Sequence, residues 1–212
     1  IKPNEPITDW IDALNWMRTN DSVKVVASWW DYGYWITTIA NKTTLADNGT
    51  RNSTQIEQIA LMFMSNETEA IEILKEFEGT RGPVTHVVVF STFDTQGADI
   101  GWGEESKWRW MARIAGLNDT NYRYYAQNPD TGQLEEKGWN TLGSETVICK
   151  MLSAGKKTRA GFTTNNAETE TEIEGLEHFR LVYYSQGSPQ GGAYALVCVY
   201  EVIYDLSLIH IS

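Results

Sequence analysis

The stretch that most constrains the fold is Val23-Lys24-Val25-Val26-Ala27-Ser28, a short β-branched run that passes directly into Trp29-Trp30-Asp31-Tyr32-Gly33. A brief apolar run bounded by polar residues is the pattern of a strand buried on both faces. Thr85-His86-Val87-Val88-Val89-Phe90, just after the breaker Arg81-Gly82-Pro83, repeats that pattern. The intervening segments have helical spacing instead. Thr8 reads as an N-cap, with Asp9 in the first turn and Trp10, Leu14 and Met17 on one face that should pack on the sheet. A short helix over Tyr34 to Ala40 and a strand near Thr43 to Leu45 follow the aromatic stretch. Ser53 to Met64 and Glu67 to Phe77 read as helices, the second with Ala70, Ile73, Leu74 and Phe77 aligned.

Strands alternating with helices over residues 1–115 predict an α/β unit with a mainly parallel sheet. From Asn118 to Gly143 the composition shifts to Asn, Gly, Tyr and Gln, which predicts loops and a hairpin around Pro129-Asp130-Thr131-Gly132. Strand-like runs at 146–152, 179–184 and 194–204 make the second half β-rich, added to the same sheet rather than set apart. The expected class is therefore mixed α/β. A chain of 212 residues is long enough to bury a real core.

Composition removes several functions. A formal charge of −11 leaves no basic stripe, which argues against a nucleic-acid partner. No apolar run approaches the ~18 residues of a membrane helix, and Ile1-Lys2-Pro3-Asn4-Glu5-Pro6 lacks the charged and apolar parts of a signal peptide. The histidines His86, His178 and His210 are scattered, so no zinc pattern exists. Cys149 and Cys198 each sit in a strand-like run, and either a disulfide or two buried free thiols is compatible with the sequence. Glu168-Thr169-Glu170-Thr171-Glu172-Ile173-Glu174 reads as a solvated edge or loop rather than a cation site. Sequons at Asn20, Asn41, Asn48, Asn52, Asn66 and Asn118 exceed the roughly two expected by chance from 13 Asn and 34 Ser plus Thr, which suggests an exocytoplasmic chain.

Trp29, Trp30 and Asp31 leave the end of a core strand, where loops of α/β proteins carry ligand sites. An indole donates and an ionised carboxylate accepts, so the three together can satisfy a Ser or Thr hydroxyl. The plainer alternative makes one Trp a core anchor and Asp31 a helix cap. Farther on, Glu104 and Lys107 are spaced to share one face of a helix, with Met111 a turn later. By itself that is an ordinary ion pair beside a core Met.

Trp29-Trp30-Asp31-Tyr32-Gly33 resembles the WWDYG signature of the catalytic subunit of oligosaccharyltransferase, the membrane enzyme that moves a lipid-linked glycan onto Asn in Asn-X-Ser/Thr. Gly103 to Ile114 is similar to the DxxKxxx(Met/Ile) helix motif of archaeal and eukaryotic members, with Glu104 where the family usually has Asp. Lys42 to Asn52 is similar to the segment that follows WWDYG in that family. The resemblance implies that residues 1–205 are the C-terminal central-core domain of a short archaeal-type member, with a multi-span membrane domain in front of Ile1. It implies that Trp29, Trp30, Asp31, Lys107 and Met111 form the pocket for the sequon's Ser or Thr, supported by Tyr32, Gly33 and Glu104. Met111 would touch the Thr methyl. Catalytic carboxylates and a divalent cation, Mn or Mg, would belong to the membrane part, leaving no catalytic residue or metal ligand in this chain. The implied partners are an acceptor polypeptide and a dolichol-type lipid-linked oligosaccharide, and the implied location is the exocytoplasmic face of the cell membrane. Leu206 to Ser212 reads as a cloning-derived tail. The competing function is a carbohydrate-binding or cell-surface interaction module, because 9 Trp and 10 Tyr can stack on sugars.

Overall fold

A computed structural model describes residues 6–49 and 52–207. The elements are α1 (Thr8–Thr19), β1 (Val25–Ser28), a 3-10 turn (Trp30–Tyr32), α2 (Gly33–Thr38), β2 (Thr43–Thr44), α3 (Ser53–Met64), α4 (Glu67–Glu76), α5 (Glu78–Arg81), β3 (His86–Asp94) and α6 (Glu104–Ile114). After a second 3-10 turn (Asp119–Tyr122) come β4 (Arg123–Gln127), β5 (Leu134–Trp139), α7 (Thr141–Ser144), α8 (Val147–Ala160), β6 (Phe179–Tyr184) and β7 (Ala193–Val202).

Five strands form one mixed sheet in the order β2-β1-β3-β7-β6, while β4 and β5 pair as a separate hairpin. The strands β2, β1 and β3 are parallel, and β7 runs antiparallel to β3 from His86↔Glu201 to Asp94↔Ala193. All of β1 and all of β3 except Asp94 are buried, as two-sided coverage by helices requires. Trp10, Leu14 and Met17 of α1 are wholly enclosed, each such burial contributing roughly 1.5–3 kcal/mol. The expectation of a parallel first half joined by later strands in one sheet is met. The joining strands are antiparallel, which makes the sheet mixed.

Three local expectations need correction. Residues 146–152 are not a strand: Val147–Ala160 is a helix capped by the Thr146 hydroxyl, which accepts from Cys149 N at 3.3 Å. A buried apolar run of five looks the same in either state, and Val and Ile tilt such a reading toward strand. Thr8 is the first helical residue instead of the cap; that position falls to Ile7, whose side chain cannot accept a hydrogen bond. Ile71, rather than Ile73, is the buried isoleucine of α4. Cys149 and Cys198 are both buried and free, and burial pushes the Cys198 thiol up to about 12. Of the tail expected at 206–212, only Leu206 and Ser207 fall among the described residues; Thr50 and Arg51 of the third motif also lie outside them.

Two features of the sheet create the site. β1 has β2 on one side and β3 on the other, so chain leaving β1 and chain leaving β3 diverge at the carboxyl ends of these strands, where ligands bind in open α/β sheets. β1 also stops early, since Ser28 pairs with Val88 while β3 continues to Asp94. The exposed flank of β3 must find other partners. Residues 98–104 supply them: Asp94 N donates to Ala98 O at 2.9 Å and Ile100 N to Thr92 O at 3.0 Å.

Candidate functional site

The aromatic stretch bends immediately after β1. Trp30–Tyr32 form one 3-10 turn, and Gly33 starts α2 with φ −56°. Gly33 is required for space, because a Cβ there would lie 2.0 Å from Ala46 O. The turn is thereby pressed against the segment that leaves β2.

Tyr32 is buried, its ring 4.5 Å from that of Trp10 and 6.2 Å from that of Phe90. Its hydroxyl donates to Glu104 Oε1 at 2.7 Å. Glu104 is completely buried at the start of α6, and its other oxygen accepts from Phe90 N at 2.5 Å. This carboxyl therefore completes the hydrogen bonding of the β3 flank that β1 leaves open. Burial raises its pKa to about 8, against the opposing pull of the Lys107 charge and of its two hydrogen bonds. Burial first, and then the neighbouring Glu104, push the Tyr32 phenol well above its ordinary value.

Lys107, one turn into α6, donates to Asp31 Oδ2 at 2.7 Å and to the Tyr32 hydroxyl at 2.9 Å. Its ammonium also lies 4.8 Å from the centre of the Tyr32 ring. Asp31 and Lys107 remain open to solvent, with side chains 32% and 25% exposed. A chain of contacts thus runs from the core outward: Phe90 amide, Glu104, Tyr32, Lys107, Asp31. It joins the two sequence motifs across more than seventy residues. Trp30 is half-buried beside Asp31, its ring 6.3 Å from that of Trp29.

Two expected contact residues have little surface. Met111 is 0% exposed and Trp29 4%, both within the core cluster. Met111 lies one turn beyond Lys107, on the buried face of α6 that also carries Trp108. In this geometry Met111 presents no surface to which a ligand methyl could be applied.

Sequence reasoning passed over Glu105. One of its oxygens accepts from the Thr92 hydroxyl and from the amides of Gly101 and Gly103 at 2.9 and 3.1 Å, tying the lead-in of α6 to β3. No spacing rule would have found it, because its partners depend on β3 outrunning β1.

Among the described residues, no group of three His, Cys, Asp or Glu side chains could hold a metal ion. The donor set at the site does not fit a divalent cation either. A lysine ammonium already occupies Asp31, and Glu104 is spent on a phenol and a backbone amide.

Residues 22–79 match the family model of the STT3/PglB/AglB core domain. The chain is 39% identical over 111 residues to the dolichyl-diphosphooligosaccharide–protein glycosyltransferase subunit stt-3 of Caenorhabditis elegans, which covers 50% of this chain and 13% of that protein. It is 40% identical over 112 residues to the STT3 subunit of Saccharomyces cerevisiae, covering 51% and 14%. The chain spans about one seventh of the length of these curated relatives. In fold it is similar to the C-terminal globular domain of an oligosaccharyltransferase from Archaeoglobus fulgidus, with a TM-score of 0.55, 22% identity, and coverage of 93% of this chain and 99% of that one. A second A. fulgidus oligosaccharyltransferase, tethered to an acceptor peptide containing an NVT sequon, matches with a TM-score of 0.53 and 20% identity over 85% of this chain and 24% of that one. Residues 22–79 thus match the STT3/PglB/AglB core-domain model, the fold is shared with an archaeal oligosaccharyltransferase globular domain, and the curated proteins that this chain resembles are STT3 oligosaccharyltransferase subunits.

Proposed function

We propose that this chain is the acceptor-recognition part of a membrane oligosaccharyltransferase, binding the Ser or Thr of Asn-X-Ser/Thr while glycan is transferred from a dolichol-type lipid carrier to the Asn. One observation carries the reading. The WWDYG turn and the Glu104–Lys107 helix meet in a single solvent-reaching ion pair, Asp31 with Lys107.

Chemically the pair suits a hydroxyl. The Asp31 carboxylate accepts the hydroxyl proton, and the half-buried Trp30 indole is the donor placed beside it. Lys107 does not donate to the ligand; it holds Asp31 in place, and Tyr32 with Glu104 holds Lys107. Trp29 and Met111 are enclosed in the core. Transfer itself needs groups outside this chain: the catalytic carboxylates and the divalent cation, Mn or Mg, are assigned to the membrane domain, on the exocytoplasmic side. A related A. fulgidus oligosaccharyltransferase has been solved as a Zn and sulfate complex and another with a dolichol-phosphate, which supports a metal-dependent, lipid-linked reaction.

Asp31→Ala in the full-length protein tests the reading. A site built to bond a hydroxyl rejects a partner that cannot complete the bond by ~10⁴, so transfer to an Asn-X-Thr peptide should nearly vanish. Near-normal turnover by a folded Asp31→Ala protein would remove Asp31 from the pocket. Saturable binding of a soluble glycan to the chain, lost on replacing the exposed Trp102 or Trp110, would instead favour a carbohydrate-binding module.

A further inference from the structure

The sequons are not equivalent in the fold. Asn66 caps α4, its Oδ1 accepting from Glu69 N at 3.0 Å, and Asn52 caps α3 by accepting from Gln55 N at 3.4 Å. The Oδ1 of Asn20 accepts from the amide and hydroxyl of Ser22 at 3.0 and 2.7 Å, and that of Asn118 from those of Thr120 at 3.1 and 2.8 Å. All four use the carboxamide oxygen, so these bonds do not involve Nδ2, the atom to which a glycan is attached.

Asn48 is different. Two backbone carbonyls, those of Trp30 and Asp31, face its carboxamide, and a carbonyl can be met only by a donor. Its Nδ2 therefore points at them and donates at 3.0 and 3.2 Å. Both protons of the amide nitrogen are used. Next to it, Ala46 O presses on Gly33 at a distance that admits no Cβ, so the same segment grips the turn at two places.

We propose that Asn48 is a positioning residue: its carboxamide fixes the Trp30 and Asp31 carbonyls and thereby the direction from which Asp31 meets Lys107. A second consequence follows from the same two bonds. A glycosidic bond at Nδ2 replaces one N–H and puts a sugar where a carbonyl now lies, so this sequon stays unmodified in the folded protein. The clamp and the exclusion of glycan stand without the proposed function; the effect on acceptor binding rests on it.

Three variants separate the ideas. Asn48→Asp is nearly isosteric but has no donor, Asn48→Ala removes the side chain, and Thr50→Ala abolishes the sequon while keeping Asn48. Hydrogen exchange is read on peptides spanning residues 29–33. Asn48→Asp and Asn48→Ala should raise exchange there by about tenfold or more while α8 stays protected, and Thr50→Ala should match the parent. Glycopeptide mapping of the parent protein made in an N-glycosylating host should find Asn48 unoccupied. Parent-like exchange in Asn48→Asp, or a glycan on Asn48, overturns the proposal.

In the full-length protein, Asn48→Asp should raise the KM for an Asn-Val-Thr peptide about tenfold with kcat little changed, because acceptor binding is lost rather than chemistry. An unchanged KM beside an inactive Asp31→Ala protein would refute the positioning role. An unchanged KM beside a fully active Asp31→Ala protein would show instead that the hydroxyl-pocket reading had failed, and the positioning role would then be judged by exchange at residues 29–33 alone.

Discussion

Glu67 and Glu104 are both buried at the first residue of an α-helix, and they do different work. Glu67, at the start of α4, accepts from Glu177 N at 2.9 Å and His178 N at 2.8 Å, and the buried Lys150 ammonium lies 3.8 Å away. Glu104, at the start of α6, has one backbone donor and one phenol, and the phenol passes the contact on to Lys107 and the solvent-reaching Asp31. One staples the loop before β6 to a helix. The other links the core to the surface. Glu67 is enclosed by amides and a lysine, whereas the phenol that bonds Glu104 is itself bonded outward to Lys107.

The largest expected effect tests the structural side. Glu67→Ala leaves two backbone amides unsatisfied and strips Lys150 of one partner, leaving it Glu145 at 3.4 Å. Breaking a buried pair in this way costs about 3–5 kcal/mol. Urea unfolding of the variant measures it, and a loss below about 1 kcal/mol would erase the distinction between the two carboxyls.

The next effect is smaller and depends on pH. Because the folded-state pKa of Glu104 is raised to about 8 from 4.5, the folded protein holds a proton that the unfolded chain gives up. The stabilisation is complete below the unfolded value and lost as pH rises through about 8. The parent protein should therefore lose on the order of 2 kcal/mol between pH 6.5 and 9 through this group. Glu104→Gln, which mimics the neutral acid, should flatten that slope and overtake the parent at the alkaline end. An unaltered slope in the variant would mean that Glu104 stays ionised across the range.

Much of this arrangement was legible in the residues. The runs at β1 and β3 and the spacing in α1, α3 and α6 follow from period and composition, whereas the pairing of the two motifs came from the resemblance, and the structure brings Asp31 and Lys107 together as that resemblance implied. What escaped had a common cause. The helical state of Val147–Ala160, the enclosure of Met111 and the partners of Glu105 and Asn48 depend on which element lies alongside, and period does not carry that. Asn48 is the clearest case, since its sequence context announces a glycan acceptor while its neighbours make it a donor to a turn. Met111 shows the converse, where resemblance pointed outward and the apolar face of its own helix pointed in.

The smallest expected effect on stability falls on the residue with the largest expected effect on function. Asp31 and Lys107 form a pair open to water, and such pairs contribute about 0.2–1 kcal/mol. Removing Asp31 strands nothing, because Lys107 keeps the Tyr32 hydroxyl at 2.9 Å and its ring face at 4.8 Å. Asp31→Ala should accordingly lower stability by less than about 1 kcal/mol, and raising the salt to about 0.5 M should shrink even that difference by screening the parent's pair. Lys107→Ala should cost somewhat more, since it takes a donor from both Asp31 and Tyr32 and a charge from beside Glu104. If thermal unfolding at low and high salt places Asp31→Ala beside Glu67→Ala instead, then Asp31 is a structural member of the core network. Its partial exposure would then be incidental, and a loss of transfer in the full-length variant would report misfolding rather than a missing acceptor for the sequon hydroxyl.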